Sequence, residues 1–294
     1  MDETEKYIEA GRIAAEALRY GAGMIRIGES LLDVTEKIEQ KIIDMGGEFA
    51  FPPQISLNET AAHYCADVND SIIFKKGDLA KIDVGVMIDG YIGDTAMSIN
   101  MGNHEKLVAA SREALENAIK AIKPGVTISE IGQTIQETIM RSGFSPVKNL
   151  SGHGLSRYVF HDKPSIPNYN TGENYRLEKG SKIAIEPFAS NGAGVIYESG
   201  SSNIFSQVSR KPIRNTISRE ILREIEKYKD MPFTTRWLVK KFPEFKVNFA
   251  LRDLMQNGII RSYAPLPDKA GGFISQAEHT VIVDEESIVT TKIF

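Results

Sequence analysis

"IRIGESLLDVTEKIEQKIIDMGG" (Ile25–Gly47) aligns without a gap with "IKPGVTISEIGQTIQETIMRSGF" (Ile122–Phe144), pairing Gly28 with Gly125, Leu31 with Ile128, Val34 with Ile131, Ile38 with Ile135 and Gly46 with Gly143. Apolar residues three and four apart give each segment one face for a core, so both read as amphipathic helices. Ser30 is placed to cap the first, and Gly46-Gly47 to stop it. Farther along, "KKGDLAKIDVG" (Lys75–Gly85) aligns with "EKGSKIAIEPF" (Glu178–Phe188), which sets Asp83 opposite Glu186. Two copies at so long a period exclude a solenoid and predict one α+β domain whose halves are related by a pseudo-twofold. A chance match of two amphipathic helices is the alternative, and the shared carboxylate position argues against it.

Around the repeat, the spacing of Tyr7, Ile8, Gly11, Ala15 and Leu18 predicts a further helix from about Glu3 to Met24. Between Lys76 and Ile99 lies a hairpin whose strands carry Asp83 and Asp94 among apolar residues, with Asp89-Gly90 as a two-residue turn. That turn length sets Asp83 across from Ala96, and Asp94 two residues along, so both carboxylates share one face. Ile82, Val84, Val86 and Ile88 face the core. Buried carboxylates repel unless a cation lies between them, and a divalent metal reverses the sign of that interaction.

Composition sets outer bounds. With 294 residues, 41% hydrophobic and 25% charged, the chain is of ordinary globular type, one large domain or one with a small companion. Its 35 basic and 39 acidic residues leave −4, too mild to point to nucleic acid or membrane. A single cysteine, Cys65, excludes an internal disulfide and fits a reducing compartment. The amino terminus is charged and helical, no run of eighteen apolar residues occurs, and a cytoplasmic protein is expected.

From Gln207 to Pro267 the pattern changes to three short helices and a terminal strand, with 13 Lys and Arg against 6 Asp and Glu. The expected division is therefore 1–206 with 268–294 as the main domain and 207–267 as a small helical insert, similar in pattern to a winged helix. Its basic face fits RNA or an acidic protein, a solvated face being the alternative.

Three more residues bear on the metal. His153 stands in Ser-Gly-His-Gly, Glu186 ends the apolar run Ile183–Ile185, and Glu278 precedes the strand Val281–Val283, a turn histidine and two strand-end charges facing water being the alternatives. Four oxygen donors with one nitrogen suit a pair of divalent ions such as Mn, Fe, Co or Zn. Two such ions about 3.5–4 Å apart equip a site for hydrolysis.

Asp83, Asp94, His153, Glu186 and Glu278, in the contexts KIDVG, GDTA, GHG, AIEPF and QAEHT, resemble the five metal ligands of the methionine aminopeptidases, and the similarity covers almost the whole chain. The resemblance implies the pita-bread fold, and the 91 residues between Glu186 and Glu278 are similar to type 2, with its inserted helical subdomain. The short segment before the first helix looks like the archaeal form. By this resemblance two divalent ions are held, Asp94 and Glu278 bridging them. Asp83 chelates one, and His153 and Glu186 complete the other, Glu186 serving also as general base. His63 would stand near the scissile amide nitrogen and His161 near the developing oxyanion, while Phe51, Phe160 and Tyr263 would form the methionine side-chain pocket. The activity implied is removal of the initiator methionine from nascent chains whose second residue is small, by a monomer that contacts no membrane or DNA and has the ribosome as a candidate partner. Two alternatives are an Xaa-Pro aminopeptidase or prolidase-like hydrolase and a non-catalytic pita-bread protein binding nucleic acid or the ribosome. Neither His279 nor His104 belongs to this set: the first is expected off the opposite strand face, the second in solvent.

Overall fold

Both repeat helices start where their caps place them. In the computed structural model, which describes residues 1–292, helix α1 spans Glu3–Met24 and α2 Leu31–Asp44, followed by α3 (Glu105–Ala121) and α4 (Ile128–Arg141). The Ser30 hydroxyl accepts the Asp33 N–H, and Thr127 forms a full capping box with Glu130. Equivalent backbone bonds then tie each helix to the segment ahead of its strand. Gly28 donates to Phe74 O and Leu31 to Ile72 O, while Gly125 donates to Leu177 O and Ile128 to Tyr175 O. Gly28 and Gly125 both take left-handed φ, +94° and +87°, which a side chain would resist.

The hairpin has the length the sequence implies. Strands Leu79–Ile88 and Tyr91–Asn100 pair through Ile88↔Tyr91, leaving Asp89 and Gly90 as the turn at φ 51° and 84°. Asp83 lies opposite Ala96 and Gly85 opposite Asp94, so the two carboxylates share a face. Asp89 also binds Lys6 and Arg157, each at 2.6 Å, and thereby ties the turn to α1.

Its counterpart in the second half is the antiparallel pair Lys182–Ile185 and His279–Ile282, with Ile183↔Val281 matching Ala80↔Ile99. The halves join at an isolated bridge, Ala96↔Glu278, where Glu278 N–H donates to Ala96 O at 2.9 Å. On one side of this bridge the Thr280 hydroxyl accepts the Asp94 N–H and donates to Asp94 O. On the other, the Ser98 hydroxyl does the same for Gln276. The seam is thus symmetric at the level of single hydrogen bonds, and it passes through the site.

Helices cover the outer face of each half. Ile13, Leu18, Val34 and Ile38 pack on Ile82, Val84 and Val86, and in the second half Leu107, Ile131 and Ile135 pack on Ile183, Ile185 and Val281. Close approach of α1 to the hairpin depends on Gly93, where a Cβ would come within 2.4 Å of Gly11 N.

Within 207–267 lie α5 (Thr216–Ile225), α6 (Thr235–Val239), α7 (Glu244–Gln256) and the strand Ile260–Tyr263. A three-stranded sheet accompanies them. Its central strand, Ile204–Gln207, begins ahead of the expected boundary and pairs with both Phe233–Thr234 and Ile260–Tyr263. Ile-Phe-Ser-Gln neither alternates nor forms an apolar run, so it carries no strand signal in sequence. This unit has its own core, including Phe205, Ile221, Phe233, Leu238, Val247 and Leu254. It is anchored by Arg236, which is buried and forms a two-pronged pair with Glu39 of α2 at 2.7 and 2.6 Å. Trp237 Nε1–H donates to the same carboxylate at 2.7 Å and its ring stacks on Phe49.

Cys65 is free and buried. His279 bonds Thr291, whereas His104 is half-buried against Phe273 rather than in solvent. No helix among the described residues is long and apolar enough to cross a membrane.

Candidate metal centre and catalytic pocket

Asp83, Asp94, His153, Glu186 and Glu278 converge on one cavity of about 310 Å³, together with His63, Phe160 and His161. Each half supplies its share: Asp83 and Asp94 from the first hairpin, Glu186 from the end of Lys182–Ile185, Glu278 from the seam. His153 sits in the strand Ser151–Ser156, which pairs with Lys182–Ile185 through His153↔Ala184. The glycines beside it are needed for packing, since a Cβ at Gly152 or Gly154 would meet backbone carbonyl oxygens at 2.3 or 2.1 Å.

Donor atoms of Asp94, His153 and Glu278 lie within 4.8 Å of one another, all three residues buried. His153 Nδ1 is 3.1 Å from Gly154 O, so that nitrogen carries the proton and Nε2 presents its lone pair. Nε2 stands 3.7 Å from Asp94 Oδ2 and 3.9 Å from Glu186 Oε1, beyond hydrogen-bond contact. Buried oxygens of Asp83, Asp94 and Glu278 have no hydrogen-bond partner among the described residues. Four carboxylates without a counter-cation and an imidazole showing its lone pair make a donor set that fits hard to borderline divalent ions.

Electrostatics agree. Burial pushes the Asp83 carboxyl up to about 7, and it holds Asp94, Glu186 and Glu278 well above the carboxylate range, with mutual repulsion adding to the effect. The same burial pushes His153 down to about 4. A divalent cation at the centre inverts this balance by favouring the ionised carboxylates.

His63 has positive φ, 67°, and is held by two bonds: its N–H to Gln54 Oε1 at 2.7 Å and its Nδ1 to Ala264 O at 3.2 Å. Burial lowers its pKa to about 4, so the ring is neutral with Nδ1 protonated and Nε2 an acceptor. His161 stands at the cavity rim, its ring 4.4 Å from that of His153. It is accessible to solvent, yet crowding by the walls first, and then the nearby imidazoles and the Arg261 charge, disfavour its protonated form, push its pKa down and keep it neutral.

The three aromatic residues expected in the side-chain pocket are placed differently from one another. Phe160 lines the cavity. Tyr263 meets the His63 ring edge-on at 5.6 Å and faces an adjoining cavity that Phe160 and His161 also border. Phe51 lies one layer back, 1% exposed, because its ring fills the space over Gly85, where a Cβ would come within 2.1 Å of it, and packs on Phe160.

Two contributors went unread in the sequence. Gln54 fixes His63, and nothing in its AFPPQIS context marks it. Gln276, whose Nε2 donates to Glu186 Oε2 at 3.4 Å, is the seam counterpart of Asp94, so extending the repeat to the second strand would have found it.

The family model for metallopeptidase family M24 matches residues 5–285. The chain is 44% identical over 290 residues to a methionine aminopeptidase of Archaeoglobus fulgidus, covering 98% of each sequence. It is 45% identical over 294 residues to one of Thermococcus onnurineus, covering 99% of this chain and 100% of that one. Among solved structures, the methionine aminopeptidase of Thermotoga maritima superposes with a TM-score of 0.73 at 26% identity, over 99% of this chain and 97% of that chain.

Proposed function

Because the chain belongs to metallopeptidase family M24, we propose that its buried carboxylate–histidine cavity releases methionine from the amino terminus of polypeptides, and that it does so as a type 2 enzyme. The observation that carries the reading is the convergence on one cavity of four carboxylates, Asp94 and Glu278 buried and Asp83 and Glu186 half-buried, with the His153 Nε2 lone pair. Identity of 44–45% to methionine aminopeptidases over nearly the whole chain supports it over the Xaa-Pro-cleaving and non-catalytic alternatives. The type 2 assignment rests on the separate helical unit between Glu186 and Glu278, with catalytic unit and insert divided near 206 and 267.

In this reading Asp83, Asp94, His153, Glu186 and Glu278 hold two divalent ions, Mn, Fe, Co or Zn. Bound there, such ions supply Lewis-acid polarisation of the scissile carbonyl and a water acidic enough to react near neutral pH. Glu186 would take the proton of the attacking water, and the Gln276 amide on its Oε2 orients the carboxylate for that role. His161, neutral, donates a ring N–H to the carbonyl oxygen as negative charge gathers on it. His63 Nε2 accepts a hydrogen bond from the amide N–H, its ring held by Ala264 O. Phe160 and Tyr263 flank the side chain, with Phe51 behind them, and the thioether sulfur gains modest attraction at a ring edge. A small second residue, nascent chains in the cytoplasm as substrate, a monomeric state and ribosome contact through the basic insert complete the proposal.

Metal-loaded protein incubated with Met-Ala-Ser, Met-Leu-Ser and Ala-Pro-Ser peptides tests it by amino-acid analysis. Methionine is expected only from the first, and cleavage of the third alone would overturn the reading. His161→Ala is expected to lower kcat about 10²–10³-fold with KM little changed, as loss of a donor acting only in the transition state requires. Steady-state kinetics on Met-Ala-Ser checks this, a rise confined to KM counting against it.

A further inference from the structure

A second cavity, of about 290 Å³, adjoins the first and shares Phe160 and His161 with it. Two polar groups on its wall are only partly used. Gln207 is buried, and while its Nε2 donates to Ser209 O at 3.1 Å, its Oε1 accepts nothing. Leaving a buried acceptor unpaired costs about 1–3 kcal/mol, so a turn of this amide that offers Oε1 to a donor in the cavity would be favoured. Arg261 is exposed, its Nε donates to Tyr263 Oη at 2.9 Å, and its guanidinium lies over the Tyr263 ring at 4.9 Å. It lines the cavity and forms no ion pair among the described residues. The one carboxylate in the lining, Asp230, is already paired with Arg210 at 2.7 Å.

A polypeptide whose first residue fills the first cavity has to leave along a neighbouring wall. An extended strand offers main-chain N–H groups and alternating side chains, and the exposed Val159 and Val208 give this wall an apolar lip. The Tyr263 ring lies 5.6 Å from the His63 ring and 4.9 Å from the guanidinium, so Arg261 stands within about three extended residues of His63 at ~3.4 Å each. We propose that this second cavity receives the residues after the scissile bond, with Gln207 Oε1 accepting a main-chain N–H and Arg261 pairing with an acidic side chain at the third or fourth position. The inference rests on the aminopeptidase reading and adds to it a preference for acidic sequences downstream.

Metal-loaded full-length protein is assayed on Met-Ala-Ser-Ser-Ser and on versions with Glu or Lys at position three or four. Glutamate is expected to exceed lysine in kcat/KM by about two- to fivefold at one of the two positions, mostly through KM, and the ratio should shrink as salt rises. Arg261→Glu should reverse the ratio, and Gln207→Leu should flatten the gain in kcat/KM between Met-Ala-Ser and the pentapeptide. Equal rates for Glu and Lys peptides in the wild type, or a ratio unmoved by Arg261→Glu, would overturn the proposal while cleavage of the neutral peptide left the aminopeptidase reading intact. Failure to cleave the neutral peptide would overturn both. Because the salt and charge comparisons use the wild-type chain, poor folding of a variant does not protect the idea.

Discussion

Asp94→Asn should lower kcat/KM on Met-Ala-Ser by at least about 10³-fold, while making the metal-free protein more stable than the wild type. The two effects have one cause. Asp94 is buried with an unpaired oxygen, close to Asp83 and Glu186, and in the absence of a cation its charge is opposed by burial and by those neighbours. Asparagine keeps the shape and removes the charge, so the metal-free fold gains what the wild type loses. Metal binding loses an anionic donor, and several kcal/mol of transition-state stabilisation go with it.

The sign with pH follows. A raised carboxyl pKa means that, above its ordinary value near 4, the native state keeps a proton the unfolded state has shed. Stability of the metal-free wild type therefore falls as pH rises toward the folded pKa, by up to about 1.4 kcal/mol per unit for each such proton. The variant lacks this term, so its advantage should grow from pH 4 upward. Urea unfolding of both metal-free proteins across pH, with calorimetric titration of Mn²⁺, measures it. An advantage that shrank with rising pH, or unchanged metal affinity, would contradict the assignment.

Glu39→Gln is expected to cost about 3–5 kcal/mol of stability, among the largest effects available outside the cavity. Arg236 is almost fully buried, and among the described residues it has, beyond its two bonds to Glu39, only Ala66 O at 3.3 Å and the half-exposed Glu36 at 3.6 Å. Removing the Glu39 charge leaves the guanidinium buried with too little compensation. The double variant Glu39→Met/Arg236→Met should recover most of the loss, because replacing both partners of a buried pair by apolar groups is often neutral. The consequence reaches the cavity: the same unit carries Tyr263 and Ala264, which hold the His63 ring. Chemical denaturation of the single and double variants decides the point, and a single variant within 1 kcal/mol of wild type (~1 kcal/mol being typical of a partly solvated pair) would mean that the anchor is not as dry as it looks.

Much of this chain was legible before any coordinates. The helices announced themselves by period and caps, the hairpin by Asp89-Gly90, and the match of Asp83 to Glu186 by a repeat that the backbone bonds of Gly28 and Gly125 reproduce. These features are local, or depend on a two-residue turn whose geometry propagates along a ten-residue strand. The short strand Ile204–Gln207 is not legible because Ile-Phe-Ser-Gln neither alternates nor forms an apolar run, nor is the layer of Phe51, because an aromatic residue in a loop reads the same on a cavity wall or behind it.

The sequence by itself determined which side chains could serve a metal and which half of the repeat each came from. Only the tertiary structure decided that they meet. The seam at Ala96 and Glu278, the carbonyls that set the tautomers of His153 and His63, and the Glu39–Arg236 anchor each join residues through contacts that no local rule encodes. All but the Gly154 carbonyl lie far from their partners in sequence, and those contacts form only when the two halves and the inserted unit pack together.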